Sequence, residues 1–163
     1  MADIIQAASQ AVPPHVQLIR MGTAYWASKV VFAAAELGLA AQVAGGPKSA
    51  AELAGPMVVH APSLHRLMRM LASLGLLAER FSLTALGEAL KTGAPGSAKA
   101  ALLTTGSSWC VSAFENIIHS VQTGSTGFEK AQGMPLFDYL ARYPEDAPIF
   151  SETVVGFQRG AQP

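Results

Sequence analysis

The chain has 163 residues, of which 50% are hydrophobic and only 13% charged, whereas soluble domains usually carry about 25% charged residues. Eleven basic and eleven acidic residues balance to zero, which argues against nucleic acid or an anionic membrane as a partner. The N-terminus lacks the pattern of a secretion signal, so a cytoplasmic protein is predicted. No apolar run reaches the roughly 18 residues of a membrane span, so the charge deficit predicts apolar surface buried against another subunit.

A long helix is predicted from Pro13-Pro14 to Gly38, because proline is tolerated in the first turn of a helix. Apolar residues recur along it at alternating steps of three and four, and further apolar residues lie off this seam. A helix that is apolar nearly all round needs a partner subunit. Five residues of the seam are therefore predicted to form the interface of a homodimer: Val16, Ile19, Thr23, Trp26 and Val30.

The next segment has the element order of a winged-helix unit. Ser49 and Glu52 have capping-box spacing and predict the start of a short helix that ends at residue 54. A second helix is predicted at 63–75, and residues 76–83 alternate like a short hairpin or wing. Thr84 is placed to cap another short helix. Helix, helix, hairpin, helix is the winged-helix order.

The rest of the chain is predicted to be helical, at 98–104, 108–121, 135–142 and 144–158. Residues 123–127 form a glycine-containing break, and Tyr143-Pro144 separates the last two helices because the residue before proline leaves the helical region. Three segments follow: an N-terminal arm at 1–14, a winged-helix-like domain at 15–95, and a helical extension at 96–163.

The sequence contains no motif of self-sufficient catalysis: no glycine-rich nucleotide turn, no GxSxG and no HExxH. The four histidines lie on different elements, so no metal site is predicted. Cys110 is interpreted as a small buried hydrophobe on a helix. We therefore predict no catalytic, cofactor-binding or metal-binding residue in this chain.

A DNA-binding alternative comes from His65, Arg66 and Arg69, which lie where a recognition helix would be. Zero net charge and a wing with only Arg80 favour an ordinary solvated helix face. A winged-helix regulator nevertheless remains an alternative at this point, to be tested by salt-dependent affinity for duplex DNA.

A collinear series of segments carries a more specific resemblance. The series comprises Tyr25-Trp26, AAELGL at 34–39, PKSAAELA at 47–54, LMRMLASLGL at 67–76, FSLTALG at 81–87, PGS at 95–97, HSVQTG at 119–124 and GMPLFDYL at 133–140. In order and spacing it resembles the amino-terminal region of the plant and bacterial O-methyltransferases that act on phenols, polyketides and related natural products. The resemblance covers nearly the whole chain.

The resemblance implies a mainly α fold: a winged-helix-like helical domain with a short β-hairpin, in an intertwined dimer. In the family a Rossmann-like domain that binds S-adenosylmethionine follows this region. The chain ends at Pro163, about where a linker helix leads into that domain, so we expect the donor-binding domain to be absent from this chain. We also expect the chain alone to bind no S-adenosylmethionine and to turn over no substrate. The complete enzyme would methylate a hydroxyl of a phenolic or polyketide-type substrate.

The same resemblance assigns five apolar residues to the substrate pocket: Trp109, Phe114, Phe150, Val154 and Phe157. Each is equally compatible with ordinary intradomain core. Thr153-Val154 stands where the family more often has Ala-Met or Gly-Met, which leaves the substrate open. A free-standing adaptor that dimerises with a full-length methyltransferase is a further alternative.

Overall fold

The computed structural model describes residues 13–78, 80–94 and 96–160, with side chains described up to residue 156. Residues 1–12 of the predicted N-terminal arm lie outside the described residues. The described part contains eleven helices: α1 Pro14–Glu36, α2 Leu39–Val43, α3 Ala50–Met57, α4 Ala61–Ser73, α5 Ala85–Glu88, α6 Lys99–Gly106, α7 Ser108–Glu115, α8 Ile117–Thr123, α9 Gly127–Gln132, α10 Leu136–Arg142 and α11 Asp146–Gly160. The predicted mainly α fold is confirmed.

Helix α1 begins at Pro14, as the proline pair predicts, and ends at Glu36 rather than at Gly38. Gly38 makes the turn into α2 with φ of +62°, a left-handed conformation that glycine adopts without strain. Only the C-terminal part of α1 is buried, where it packs against α2, α4 and α6. No helix in the described part of the chain is long and apolar enough to cross a membrane.

The main core lies between α2, α3 and α4. Its fully buried side chains are Leu39, Val43, Leu53, Met68 and Leu71. The predicted capping box at the start of α3 is present: Ser49 Oγ accepts from the Glu52 N–H, and Glu52 Oε2 accepts from the Ser49 N–H at 2.7 Å. The helix continues to Met57, three residues beyond its predicted end. It accommodates Pro56 because the missing N–H removes only one hydrogen bond near the last turn.

The predicted wing is a tight loop closed by one antiparallel bridge, between Leu77 and Leu83. The Ala78 N–H donates to the Ser82 carbonyl at 2.8 Å. The Thr84 N–H donates to the Leu76 carbonyl at 3.2 Å, and the Thr84 hydroxyl caps α5 by accepting from the Gly87 N–H, so the pairing ends at Thr84. A hairpin with paired strands is therefore not formed within the described residues, and the winged-helix resemblance of this unit stays a prediction.

The predicted helix at 108–121 is divided at Asn116 into α7 and α8. The Asn116 side-chain amide donates to the Ser112 carbonyl at 2.9 Å, so it competes with the backbone for an acceptor of the helix. Helix α9 was missed by the sequence analysis. Its start is capped by Thr126, whose hydroxyl accepts from the Glu129 N–H at 3.1 Å, and this spacing was the available signal.

Glycine at position 127 allows α9 to approach α7. A Cβ built on Gly127 would clash with the Ala113 carbonyl oxygen, which belongs to the backbone and cannot rotate away. We expect Gly127→Ala to lower the free energy of unfolding by about 1–3 kcal/mol, as overpacking does. Gly156→Ala is the control: no atom lies within 4 Å of the added Cβ inside α11, and helix propensity predicts a gain of about 0.5–1 kcal/mol. Urea unfolding measures both. A Gly127→Ala variant as stable as the Gly156→Ala control would contradict the close α7–α9 contact.

Candidate functional site

Aromatic side chains gather where α7, α9, α10 and α11 meet. The Trp109 ring lies at centroid distances of 6.1 Å from Phe128, 5.8 Å from Tyr139 and 6.4 Å from Phe150. The Tyr139 ring also lies 4.5 Å from that of Tyr143. Trp109 is only 8% exposed, and its indole N–H has no hydrogen-bond partner in the described part of the chain. The contacts of Trp109 with Phe128 and Phe150 are edge-to-face, an arrangement that aromatic pairs prefer, and the other two are tilted.

A cleft of about 320 Å³ opens beside these rings, and we call it the aromatic cleft. Its volume is within the range of small-molecule sites. Its apolar lining residues are Phe32, Leu103, Trp109 and Ile149. Its polar lining residues are Glu36, Thr104, Ser107, Ser108, Tyr139 and Asp146. The cleft therefore combines aromatic surface with hydroxyl and carboxylate groups, and α1, α6, α7, α10 and α11 all contribute to it.

Tyr139 and Asp146 join α10 to the first turn of α11 at this cleft. The Tyr139 hydroxyl donates a hydrogen bond of 3.2 Å to Asp146 Oδ2. Burial, reinforced by the negative charge of Asp146, raises the pKa of Tyr139 to about 12. The phenol therefore stays protonated at neutral pH and holds the carboxylate in place.

Thr104 and Thr153 connect α6 to α11 through a buried hydrogen bond of 2.8 Å between their hydroxyl oxygens. The Thr153 hydroxyl also donates to the Ile149 carbonyl at 2.8 Å. Because each hydroxyl has a single proton, Thr104 must be the donor of the pair. The sequence analysis had noted Thr153 as a departure from the family, and the structure gives it this partner within the chain.

A second cleft, of about 330 Å³, lies between α1 and the α6–α7 junction. It is lined by Tyr25, Ser28, Lys29, Thr105, Val111, Phe114 and Glu115. Lys29 Nζ donates to the Gly106 carbonyl at 2.9 Å and lies 5.3 Å from the Phe32 ring centroid. Burial raises the pKa of the nearby Cys110 thiol, which keeps it protonated and poorly nucleophilic.

Two groups of exposed apolar side chains, one on α1 and one on α7 and α8, each contribute a residue to this second cleft. These residues are Tyr25 and Phe114. On α1 the exposed residues are Leu18, Ile19, Met21, Tyr25 and Trp26; on α7 and α8 they are Phe114, Ile117, Ile118 and Val121. Trp26 is 66% exposed and Val121 82%. We call these nine residues the apolar surface. Large exposed apolar side chains that cluster on a surface mark interaction sites in soluble proteins.

The five residues predicted for the dimer interface differ in their exposure to solvent. Ile19 and Trp26 are exposed within the apolar surface. Val16 and Thr23 are half-buried, and the Thr23 hydroxyl donates to the Ile19 carbonyl at 2.8 Å. Val30 is half-buried against the main core of its own chain. The structure thus places Ile19 and Trp26 where a second chain would have access to them.

The structure brings together two of the five residues predicted for the substrate pocket, Trp109 and Phe150. Phe114 lines the second cleft instead, and Val154 is 39% exposed on α11. The side chain of Phe157 lies outside the described residues. Tyr139 and Asp146 were missed by the sequence analysis, because an acidic residue in the first turn of a helix is also an ordinary helix-start signal.

The other residues considered for chemistry remain separate. His65 and Arg66 are exposed on α4; the Arg66 guanidinium donates to Ser63 Oγ at 3.0 Å, and the His65 ring lies edge-on to Phe81. No three His, Cys, Asp or Glu side chains converge as a metal site among the described residues.

Residues 19–93 match the family model described as the O-methyltransferase dimerisation domain. The chain belongs to the family of O-methyltransferase dimerisation domains. It is 37% identical over 153 residues to the phenazine O-methyltransferase PhzM of Lysobacter antibioticus, an alignment that covers 91% of this chain and 45% of that protein. Among solved structures, it is similar to LaPhzM with a TM-score of 0.84 at 36% identity, over 91% of this chain and 46% of the other.

A second solved relative is NcsB1, an O-methyltransferase from neocarzinostatin biosynthesis in complex with S-adenosylmethionine and 2-hydroxy-5-methyl naphthoic acid. It matches with a TM-score of 0.66 and 26% identity, over 82% of this chain and 42% of NcsB1. The chain therefore spans less than half the length of these O-methyltransferases. The shared portion is their helical, dimerisation-domain end.

The Thr104–Thr153 hydrogen bond is expected to behave non-additively. Thr153→Val leaves the Thr104 hydroxyl buried without its acceptor, and we expect a loss of about 1–3 kcal/mol of unfolding free energy. The double variant Thr104→Val with Thr153→Val removes both hydroxyls and should cost less than the sum of the single variants. Urea unfolding of the three variants tests this. Additive losses would show that the two hydroxyls do not depend on each other.

The free energy of unfolding at high pH should depend on the protonation of the Tyr139 phenol. Its pKa is raised from 10.0 to about 12 in the folded chain, so the folded state holds the proton more tightly than the unfolded state. The resulting stabilisation is complete below pH about 10 and is lost as the pH rises toward about 12. Tyr139→Phe should therefore lose less unfolding free energy than the natural chain between pH about 10 and about 12. Asp146→Asn should lower the pKa of Tyr139 in an ultraviolet titration, because it removes a negative charge near the phenol. A Tyr139 midpoint at its ordinary value would contradict this prediction.

Proposed function

We propose that this chain is the dimerisation and substrate-pocket region of an S-adenosylmethionine-dependent O-methyltransferase whose substrate is a small aromatic molecule with a hydroxyl group. The observation that carries the proposal is the apolar surface on a chain with an O-methyltransferase dimerisation domain. The aromatic cleft carries the substrate-pocket part of the proposal, because it offers a planar ligand a site beside the rings of α1 and α7.

A homodimer follows from the physics of α1. The N-terminal two thirds of this helix expose Leu18, Met21 and Trp26 to solvent, while the C-terminal third enters the core. Each square ångström of apolar area removed from water contributes roughly 25 cal/mol. A second copy presents the same surface, and a two-fold axis lets the two surfaces cover each other. Nine large apolar residues per chain favour an extensive interface of this kind.

The aromatic cleft suits one edge of a flat ring system. Trp109 and Phe32 provide ring faces and edges, and the hydroxyl and carboxylate groups would orient a polar substituent. The relatives support the aromatic part of this assignment by their names: one is a phenazine O-methyltransferase, and the ligand of NcsB1 has a naphthalene ring. In a complete enzyme the cleft would form one wall of the pocket, and a donor-binding domain would close it.

S-adenosylmethionine is implied for the complete enzyme by the family, but the described residues do not fit it. Binding of a nucleoside-containing donor typically uses a strand, a glycine-rich turn and an acidic residue at the end of a second strand. Within the described part of the chain the only extended pairing is the bridge between Leu77 and Leu83. That the chain alone binds no donor stays a prediction. Titration calorimetry with S-adenosylmethionine tests it, and a saturable isotherm would contradict it.

Association is the direct test of the proposed function. Light scattering at micromolar concentration should give twice the 17.0 kDa mass of one chain. Trp26→Glu should shift the chain toward monomer, because burying an unpaired charge at the interface costs several kcal/mol. The matched control is Val58→Glu, at a residue that is 91% exposed outside the apolar surface, and this variant should remain dimeric. A monomeric natural chain, or equal effects of the two substitutions, would refute the proposal.

A further inference from the structure

We propose that the aromatic cleft selects a neutral or cationic aromatic ligand over an aromatic carboxylate, and that Asp146 is the residue that determines this specificity. The inference rests on the proposed function, since it concerns the substrate that this cleft would help to bind. The ligand class is a planar aromatic molecule whose cleft-facing edge has a hydroxyl or amino group rather than a carboxylate.

The first observation is the sign of the charges around the cleft. Its lining includes two carboxylates, those of Glu36 and Asp146, and no lysine, arginine or histidine. A third carboxylate, Glu145, is close enough to help raise the pKa of Tyr139. A negatively charged ligand would therefore meet like charges, and solvent screens the half-buried Asp146 less than the exposed Glu36.

Two basic side chains of neighbouring elements are engaged away from these carboxylates. Lys29 Nζ donates to the Gly106 carbonyl at 2.9 Å and lies against the Phe32 ring. Arg142 lies over the Tyr143 ring, with 5.9 Å from its Cζ to the ring centroid. Neither residue lines the cleft. The side chains that line the cleft therefore include no basic group.

The second observation is the unused hydrogen-bonding capacity of Asp146. Its Oδ2 accepts from the Tyr139 hydroxyl, which fixes the carboxylate plane relative to α10. Its Oδ1 accepts no hydrogen bond from the described part of the chain. A carboxylate oxygen of this kind accepts from a hydroxyl or amino group and cannot donate to another carboxylate. The residue therefore favours a ligand that brings a donor.

The third observation is Trp109. Its indole N–H is buried, lacks an acceptor within the described residues, and belongs to a side chain that lines the cleft. A buried donor without an acceptor is unfavourable, so the cleft is incomplete as it stands. Any ligand acceptor would satisfy this donor, whether a ring nitrogen, a carbonyl oxygen or a carboxylate, so Trp109 marks the cleft as a ligand site while the lining carboxylates set the charge preference. NcsB1, by contrast, was solved with a naphthoic acid, and we expect this chain to differ from NcsB1 in that preference.

The test compares two probes of the same ring size on the full 163-residue chain: 6-amino-2-naphthol and 6-hydroxy-2-naphthoic acid. Binding is followed by the indole N–H resonance of Trp109 in NMR spectra, assigned with Trp26→Phe. The aminonaphthol should bind at least about tenfold more tightly than the naphthoate. Asp146→Asn keeps an acceptor for Tyr139 but removes the charge, and should reduce this ratio to about threefold or less.

Two further variants keep the result interpretable. Asp138→Asn removes a carboxylate from an exposed position of α10 outside the cleft, and should leave the ratio unchanged. Glu36→Gln removes the other lining carboxylate, which lies on a different helix. If Asp146→Asn does not fold, Glu36→Gln is the second test, and it should reduce the ratio. Equal or tighter binding of the naphthoate would overturn the proposal, as would a ratio that is unchanged in a folded Asp146→Asn variant, or unchanged in Glu36→Gln where Asp146→Asn does not fold. No shift of Trp109 with either probe would also overturn it, and a dimeric mass in the same sample would leave the proposed function standing.

Discussion

The divided environment of α1 is the constraint on which the rest of the structure depends. Its C-terminal third is enclosed by α2, α4 and α6, with Ala34 and Ala35 fully buried. Its N-terminal two thirds extend past that core with apolar residues exposed. The other helices of the described part pack against only one end of α1, so the apolar residues of its other end stay exposed. The apolar surface is thus a consequence of helix length and packing, and it makes a second subunit the natural cover.

The same helix also lines both clefts. Lys29 spans the second cleft to reach the Gly106 carbonyl, and Phe32 and Glu36 follow at the aromatic cleft one and two turns later. Gly106 is required at this contact because a Cβ there would clash with the Phe32 ring. A dimer that holds the exposed end of α1 would therefore also restrict the side chains at its buried end. This arrangement gives a physical reason for a dimerisation domain to contribute to a substrate pocket.

The aromatic cleft is held open by polar contacts rather than by apolar packing alone. The Thr104–Thr153 hydrogen bond joins α6 to α11, and the Tyr139–Asp146 hydrogen bond joins α10 to α11. Both sets of contacts converge on α11, so the position of that helix sets the width of the cleft. Small changes in α11 would alter the pocket without disturbing the main core between α2, α3 and α4, which shares no buried residue with it.

Sequence patterns by themselves determined the helical class, the start of α1 at its proline pair, the capping box of Ser49 and Glu52, and the need for a partner subunit. These features depend on neighbours along the chain or on total composition, so they can be read without coordinates. The division at Asn116, the pairing of Thr104 with Thr153, and the meeting of Tyr139, Asp146 and Trp109 were decided only by the tertiary structure. Those contacts join residues up to 49 positions apart, and their directions depend on how helices pack rather than on any local periodicity. The assignment of Phe114, Val154 and Phe157 to a pocket stays a prediction for the same reason, because one helical pattern is compatible with core, cleft and interface alike.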